Sequence, residues 1–168
     1  MINQDKETFC NLLRSSGREG VEQVITELER HGFFEAPASA SHHLNKKGGL
    51  VEHSLKVCAA ALDLKSMLVS RRPEIDPLIP NESILIAALL HDVCKTDIYK
   101  ETLLNRKGAD GRWEKVPGYS VDCADIPLGH GEKSVIMLQM WGLKLTLDEI
   151  LEADRLAREA VRNFMKSL

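Results

Sequence analysis

Residues 84–97 read ILIAALLHDVCKTD. Seven consecutive apolar residues, Ile84 to Leu90, leave this segment no polar face, so its helix belongs in the middle of a core rather than along its edge. His91 and Asp92 follow at once. A carboxylate drawn into an interior without a partner costs several kcal/mol or gives up its charge. A metal ion removes that cost, with His91 ligating through a ring nitrogen and Asp92 through an oxygen, a mixed set suited to Mn, Fe, Zn, Ni or Mg. The simpler alternative is a helix-end histidine beside an acid that faces solvent.

Outward from this segment the chain reads as helices. Towards the N-terminus, Leu50, Val57, Ala61, Leu64 and Leu68 recur at helical spacing and predict a long helix from about Leu50 to Ser70, with Pro73 and Pro77 after it. The next helix is expected over about 82–96. Residues 3–13 and 18–31 predict two short amphipathic helices, and 1–36 reads as a helical extension packed on a single domain that spans 1–168. Between them, GFFEAPASASHHLNKKGG (32–49) is too rich in Gly, Pro and Ser for a regular element, and a segment of that length is expected to line a site. Towards the C-terminus, KGADGRW (107–113) and Trp113–Val116 suggest a small β-hairpin insertion near 105–120. A helix then follows Gly129-His130-Gly131, with Val135, Ile136, Met137 and Met140 as its apolar positions. The last helix covers about 146–167, with Leu147, Ile150, Ala157, Val161 and Phe164 inward. The expected fold class is all-α.

Composition narrows the partners. The 168 residues carry 22 Lys and Arg against 25 Asp and Glu, a formal charge of -3 without a long run of either sign, which argues against a nucleic-acid-coating surface. Cysteines stand at 10, 58, 94 and 123, none in a CxxC arrangement, and Cys58 and Cys94 fall in apolar runs as buried thiols. No segment has the length and apolarity of a signal peptide or a membrane span, so a reducing, cytoplasmic setting is expected.

Two further residues join His91 and Asp92 as candidates for a metal. His53 lies one turn into the long helix beside the face of Val57 and Leu64, either as a ligand or as a hydrogen-bonded core histidine. Asp154 sits between Ile150 and Ala157 at helical spacing, a carboxylate within an inward stripe, with an ion pair to Arg158 as its alternative account.

The set His53, His91-Asp92 and Asp154 resembles the H…HD…D signature of the HD-domain metal-dependent phosphohydrolase superfamily. GGLVEHSLKV (48–57), LLHDVCKTD (89–97), LGHGEKS (128–134) and ADRLA (153–157) are similar to segments of that family in the expected order, over most of residues 40–160. The likeness is greatest to small bacterial HD-domain hydrolases and to the HD domain of a bacterial 3′-to-5′ exoribonuclease. It implies a helical bundle holding one or two divalent ions. His53, His91, Asp92, His130 and Asp154 would be the ligands, and Asp92, Lys95 and His130 the catalytic residues. The same likeness departs from the pattern in one place: LTLDEI (145–150) runs straight into the helix of Asp154, where a further histidine is expected. Either the centre is a reduced form, or a segment is missing after about Ile150.

The expected activity is metal-assisted hydrolysis of a phosphate ester, in a nucleotide or short oligonucleotide. Lys95 would bind a phosphoryl oxygen. His43 of the connecting loop, Tyr99 and Arg112 are the further substrate-binding candidates, with Trp113 and Lys115 completing a cap that offers aromatic area to a base and charge to a phosphate. A nucleotide-binding or regulatory module with weak or no hydrolysis is the competing expectation. Nothing in the sequence fixes the oligomeric state.

Overall fold

The computed structural model describes residues 2–41, 44–108, 111–121 and 129–150. Helices α1 (Ile2–Ser15) and α2 (Val21–Arg30) form an antiparallel pair, followed by α3 (Gly49–Arg71), a 3-10 segment (Pro73–Leu78) and α4 (Asn81–Leu90). A second 3-10 segment (Val93–Asp97) leads into strands β1 (Tyr99–Lys107) and β2 (Trp113–Val121), and α5 (His130–Met140) comes after them.

The core is one cluster to which every early helix contributes. Phe9 and Leu13 of α1, Val24 and Leu28 of α2, Leu50 and Cys58 of α3, and Ile86 and Leu89 of α4 are all buried in it. Phe33 and Phe34, just beyond α2, close it with tilted and edge ring contacts to Phe9 at 5.1 and 5.5 Å respectively. The N-terminal helices therefore share the core of α3 and α4. A backbone approach and a side-chain ion pair hold their neighbours in place. Gly20 is left-handed at φ 95° and abuts the carbonyl of Gly142, where any side chain would collide. Beside it, Arg18 grips Glu149 through two hydrogen bonds of 2.8 Å, which brings the chain after α5 back onto the α1–α2 turn.

The all-α expectation does not hold. Two nine-residue strands pair antiparallel from Tyr99↔Val121 to Lys107↔Trp113, so the fold is mostly helical with a two-stranded sheet. The hairpin is longer than the expected insertion near 105–120 and begins at Tyr99. Its strands are rich in Thr, Tyr, Val and Leu, residues that suit a pleated ribbon, while Gly108 and Gly111 turn the chain. The helix expected over 82–96 is shorter as well. It ends at Leu90, and the chain tightens into a 3-10 segment after Asp92.

Burial departs from the expected stripes in several places. Leu64 and Leu68 of α3 are exposed, because the last turns of this 23-residue helix meet the 3-10 segment and the start of α4 through the side of Lys65 instead. On α5 the buried positions are Ser134 and Leu138, whereas Ile136 and Met140 face outward. Leu147 is exposed too. Cys10, Cys58 and Cys94 are buried and outside any disulfide. Among the described residues no helix is long and apolar enough to cross a membrane. The expected C-terminal helix, with Asp154, lies outside the described residues beyond Ile150.

Phe9→Ala removes a fully buried ring from the junction of α1 with Phe33 and Phe34. A loss of about 3–5 kcal/mol is expected, read as a lower denaturation midpoint at constant slope in urea.

Candidate metal centre

The first candidate ligand is placed by the entry to α3. Gly48 is left-handed at φ 75° and Gly49 lies so close to the Leu44 carbonyl that a side chain would not fit, so the helix starts at a defined point. His53 then comes one turn in, beside the fully buried Val51 and Ser54. The second and third arrive from the end of α4. Leu89 and Leu90 are anchored in the core, His91 caps the helix with its backbone still in the helical region, and Asp92 turns away at φ -108°. Burial of the apolar run therefore carries the adjacent imidazole and carboxylate to the first turn of α3.

The three side chains meet at single atoms. His53 Nε2 and His91 Nε2 are 3.3 Å apart, His91 Nε2 is 3.2 Å from Asp92 Oδ2, and His53 Nε2 is 3.4 Å from the same oxygen. The three form a group able to hold a metal ion. Its spacing fits one: bonds of about 2.1 Å set neighbouring ligands roughly 3.0 Å apart around an octahedral ion and roughly 3.4 Å apart around a tetrahedral one. The tautomer fits as well. His91 Nδ1 lies 3.0 Å from the Ala88 carbonyl, so the N–H is spent there and the Nε2 lone pair of the neutral ring is turned to the cluster.

Lys95 completes the arrangement from one 3-10 turn further on. Its ammonium donates to Asp92 Oδ2 at 2.7 Å and to the Ala38 carbonyl at 3.2 Å. The long connecting segment thus does reach the site, through a backbone oxygen. The α5 helix docks on the same corner: Ser134 Oγ donates to the His91 carbonyl at 2.9 Å and accepts from the Cys94 N–H at 3.2 Å.

Asp92 is only 7% exposed and still ionised. Burial alone would raise its pKa, but the hydrogen bond and charge of His91, together with Lys95, hold the carboxyl far below the usual carboxylate range. Burial likewise disfavours protonated His91, yet the Asp92 carboxylate outweighs it and raises the imidazole above its ordinary value. The pocket is electrostatically built for a cation, and a proton is the competitor of a metal ion there.

Of the candidates from the sequence, the fold brings together His53, His91, Asp92 and Lys95. Tyr99 opens β1 directly after the Lys95 segment; burial pushes its phenol up, and it lies within electrostatic range of Lys95 and Asp92. Arg112 is exposed at the hairpin turn. His130 is the first residue of α5, four positions before Ser134, and its side chain is outside the description. His43 and Asp154 lie outside the described residues. The supporting groups that sequence reading missed are Ser134 and the Ala38 and Ala88 carbonyls. Ser134 left a trace, a small hydroxyl on the same helix as His130, while backbone oxygens leave none.

No family model, curated protein or solved structure matches the chain.

The raised His91 pKa has a definite sign in pH. Its contribution to stability is fully present below the unfolded value of 6.5 and is lost as pH rises through the higher folded value. In EDTA the melting temperature should fall across the window just above 6.5, and Asp92→Asn should remove that step. Added divalent metal should show the opposite trend, its affinity rising over the same window as His91 gives up its proton. A pH-independent melting temperature in EDTA would contradict this electrostatic picture.

Proposed function

We propose that the chain is a metal-dependent phosphohydrolase of the HD-domain type, acting on a phosphate ester of a nucleotide or short oligonucleotide. The observation that carries this reading is the meeting of His53 Nε2, His91 Nε2 and Asp92 Oδ2 within 3.2–3.4 Å of one another beside the Lys95 ammonium. Two imidazoles and one carboxylate, from α3 and from the end of α4, would hold a divalent ion between them. A divalent ion bound there supplies Lewis acidity, polarising a phosphoryl oxygen and acidifying water.

The residues themselves do the rest. His53 and His91 hold the ion through Nε2, and the Ala88 carbonyl fixes the ring of His91 so that its lone pair needs no reorientation. Asp92 remains ionised across the working pH range and supplies the negative ligand. Lys95 keeps that carboxylate in one rotamer and places a positive charge where a phosphoryl group gains electron density. His130 is proposed as a further ligand or proton carrier, supported by its position on the helix whose Ser134 binds the His91 carbonyl. Asp154 completes the proposed ligand set by the family likeness, and His43, Tyr99 and Arg112 remain proposed contacts to substrate, Tyr99 with the added support of its place beside Lys95.

A second reading, a nucleotide-binding module without turnover, draws on one observation. The Lys95 ammonium already has two partners, Asp92 and the Ala38 carbonyl, so it is less available to a substrate phosphate.

The test is purified protein reconstituted separately with Mn, Fe, Ni, Zn and Mg. Bound metal is counted by mass spectrometry, and hydrolysis is followed on nitrophenyl mono- and diesters and on nucleotides. At least one metal should be retained and should support turnover that His91→Ala and Asp92→Ala abolish. Metal retention without turnover on any ester would select the binding module, and no retention at all would end both readings. Lys95→Met should lower metal affinity or turnover about 10- to 100-fold, as loss of a partner that orients a ligand does.

A further inference from the structure

The hairpin has a face that the helical core does not use. Its register puts Tyr99, Leu103 and Lys107 of β1 on the same side as Tyr119, Lys115 and Trp113 of β2. Trp113 is 73% exposed and Leu103 61% exposed, so neither is there to pack. At the outer end Trp113 stands opposite Lys107 in the ladder and two residues from Lys115 on the same side. Midway, Glu101, Leu103, Pro117 and Tyr119 form one wall of a cavity of about 510 Å³, and Asn45 and Lys46 of the loop before α3 form the other. At the inner end Tyr99 adjoins the segment that carries Lys95. One continuous face therefore runs about 27 Å from beside the metal centre to the hairpin tip.

We propose that this face is a track for single-stranded nucleic acid leading away from the candidate metal centre, an inference that rests on the phosphoester reading for its choice of a phosphate-bearing ligand. Exposed π-faces flanked by point cations are what unpaired bases and their phosphates require, since any base can stack and every linkage carries a charge. Charge selects this occupant. The stretch 99–121 carries five basic residues, Lys100, Arg106, Lys107, Arg112 and Lys115, against three acidic ones in a chain of net charge -3. On the face itself stand Lys107 and Lys115 against the one acidic strand residue Glu101, while Lys100 and Arg106 alternate to the opposite side with Glu114. A duplex hides its base faces and would leave Trp113 unused, and an acidic peptide would engage the lysines but has no need of the indole.

The experiment is fluorescence anisotropy of a labelled oligouridylate with the full chain in EDTA, across a salt series. The track predicts saturable binding that Trp113→Ala weakens about tenfold and Trp113→Phe largely restores. Lys107→Ala with Lys115→Ala should flatten the log–log salt dependence by about 1.4. Leu78→Ala, at an exposed leucine beyond the far end of α3, should leave affinity as it was. Absence of binding, equal affinity in Trp113→Ala, or equal displacement by polyglutamate would overturn the proposal. Because EDTA removes turnover, a failure here leaves ester hydrolysis standing, and a chain that hydrolyses nothing still gives a clear answer on the track.

Discussion

The buried charge of Asp92 is the constraint around which this corner of the molecule is organised. The carboxylate is set in the interior because the residues immediately before it are core: Leu89 and Leu90 cannot be buried without bringing His91 and Asp92 along. Once there, an isolated negative charge would be unsustainable, and the fold answers with three nitrogen groups on one oxygen, from His53, His91 and Lys95. The stability of the site and its capacity for a cation thus have one physical origin.

Rigidity of the surroundings turns that electrostatic need into geometry. His53 owes its position to the fixed start of α3, where Gly48 and Gly49 allow the backbone to pass close to Leu44. His91 is held at both ends, its ring by the Ala88 carbonyl and its own carbonyl by Ser134 of α5. Such contacts keep the three donor atoms 3.2–3.4 Å from one another, at little entropic cost on binding. The 3-10 turn after Asp92 matters for the same reason: it brings Lys95 back over the carboxylate.

The hairpin stands in contrast to this packed corner. Its two strands pair with each other and carry several exposed large apolar side chains, so the ribbon is shaped for something other than the core. Two-stranded ribbons are marginal by themselves, and attachment at the Tyr99 end is what gives this one a fixed direction relative to the metal centre. The candidate metal centre and the ribbon are thereby built of different materials, a buried helical junction and an exposed pair of strands.

Several features were legible in the order of residues. The unbroken apolar run 84–90 required a central helix, and the placement of His91 and Asp92 at its end required a partner for charge, so the heart of the candidate centre could be read directly. The amphipathic α2 and the turn around Gly108 and Gly111 were equally readable from local periodicity and turn chemistry. Other features depended on contacts between distant segments. The length of the hairpin was one, since strand pairing is non-local and the ladder continues past the turn signals to Tyr99 and Val121. The exposure of Leu64 and Leu68 was another, because periodicity marks an apolar face without saying which of its residues the neighbouring elements cover. The roles of the Ala38 and Ala88 carbonyls belong here too, as every residue carries such an oxygen and only the path of the chain decides which ones converge. The sequence by itself determined which groups could hold a cation; tertiary structure decided which of them meet, because convergence at a few ångströms depends on how distant helices pack.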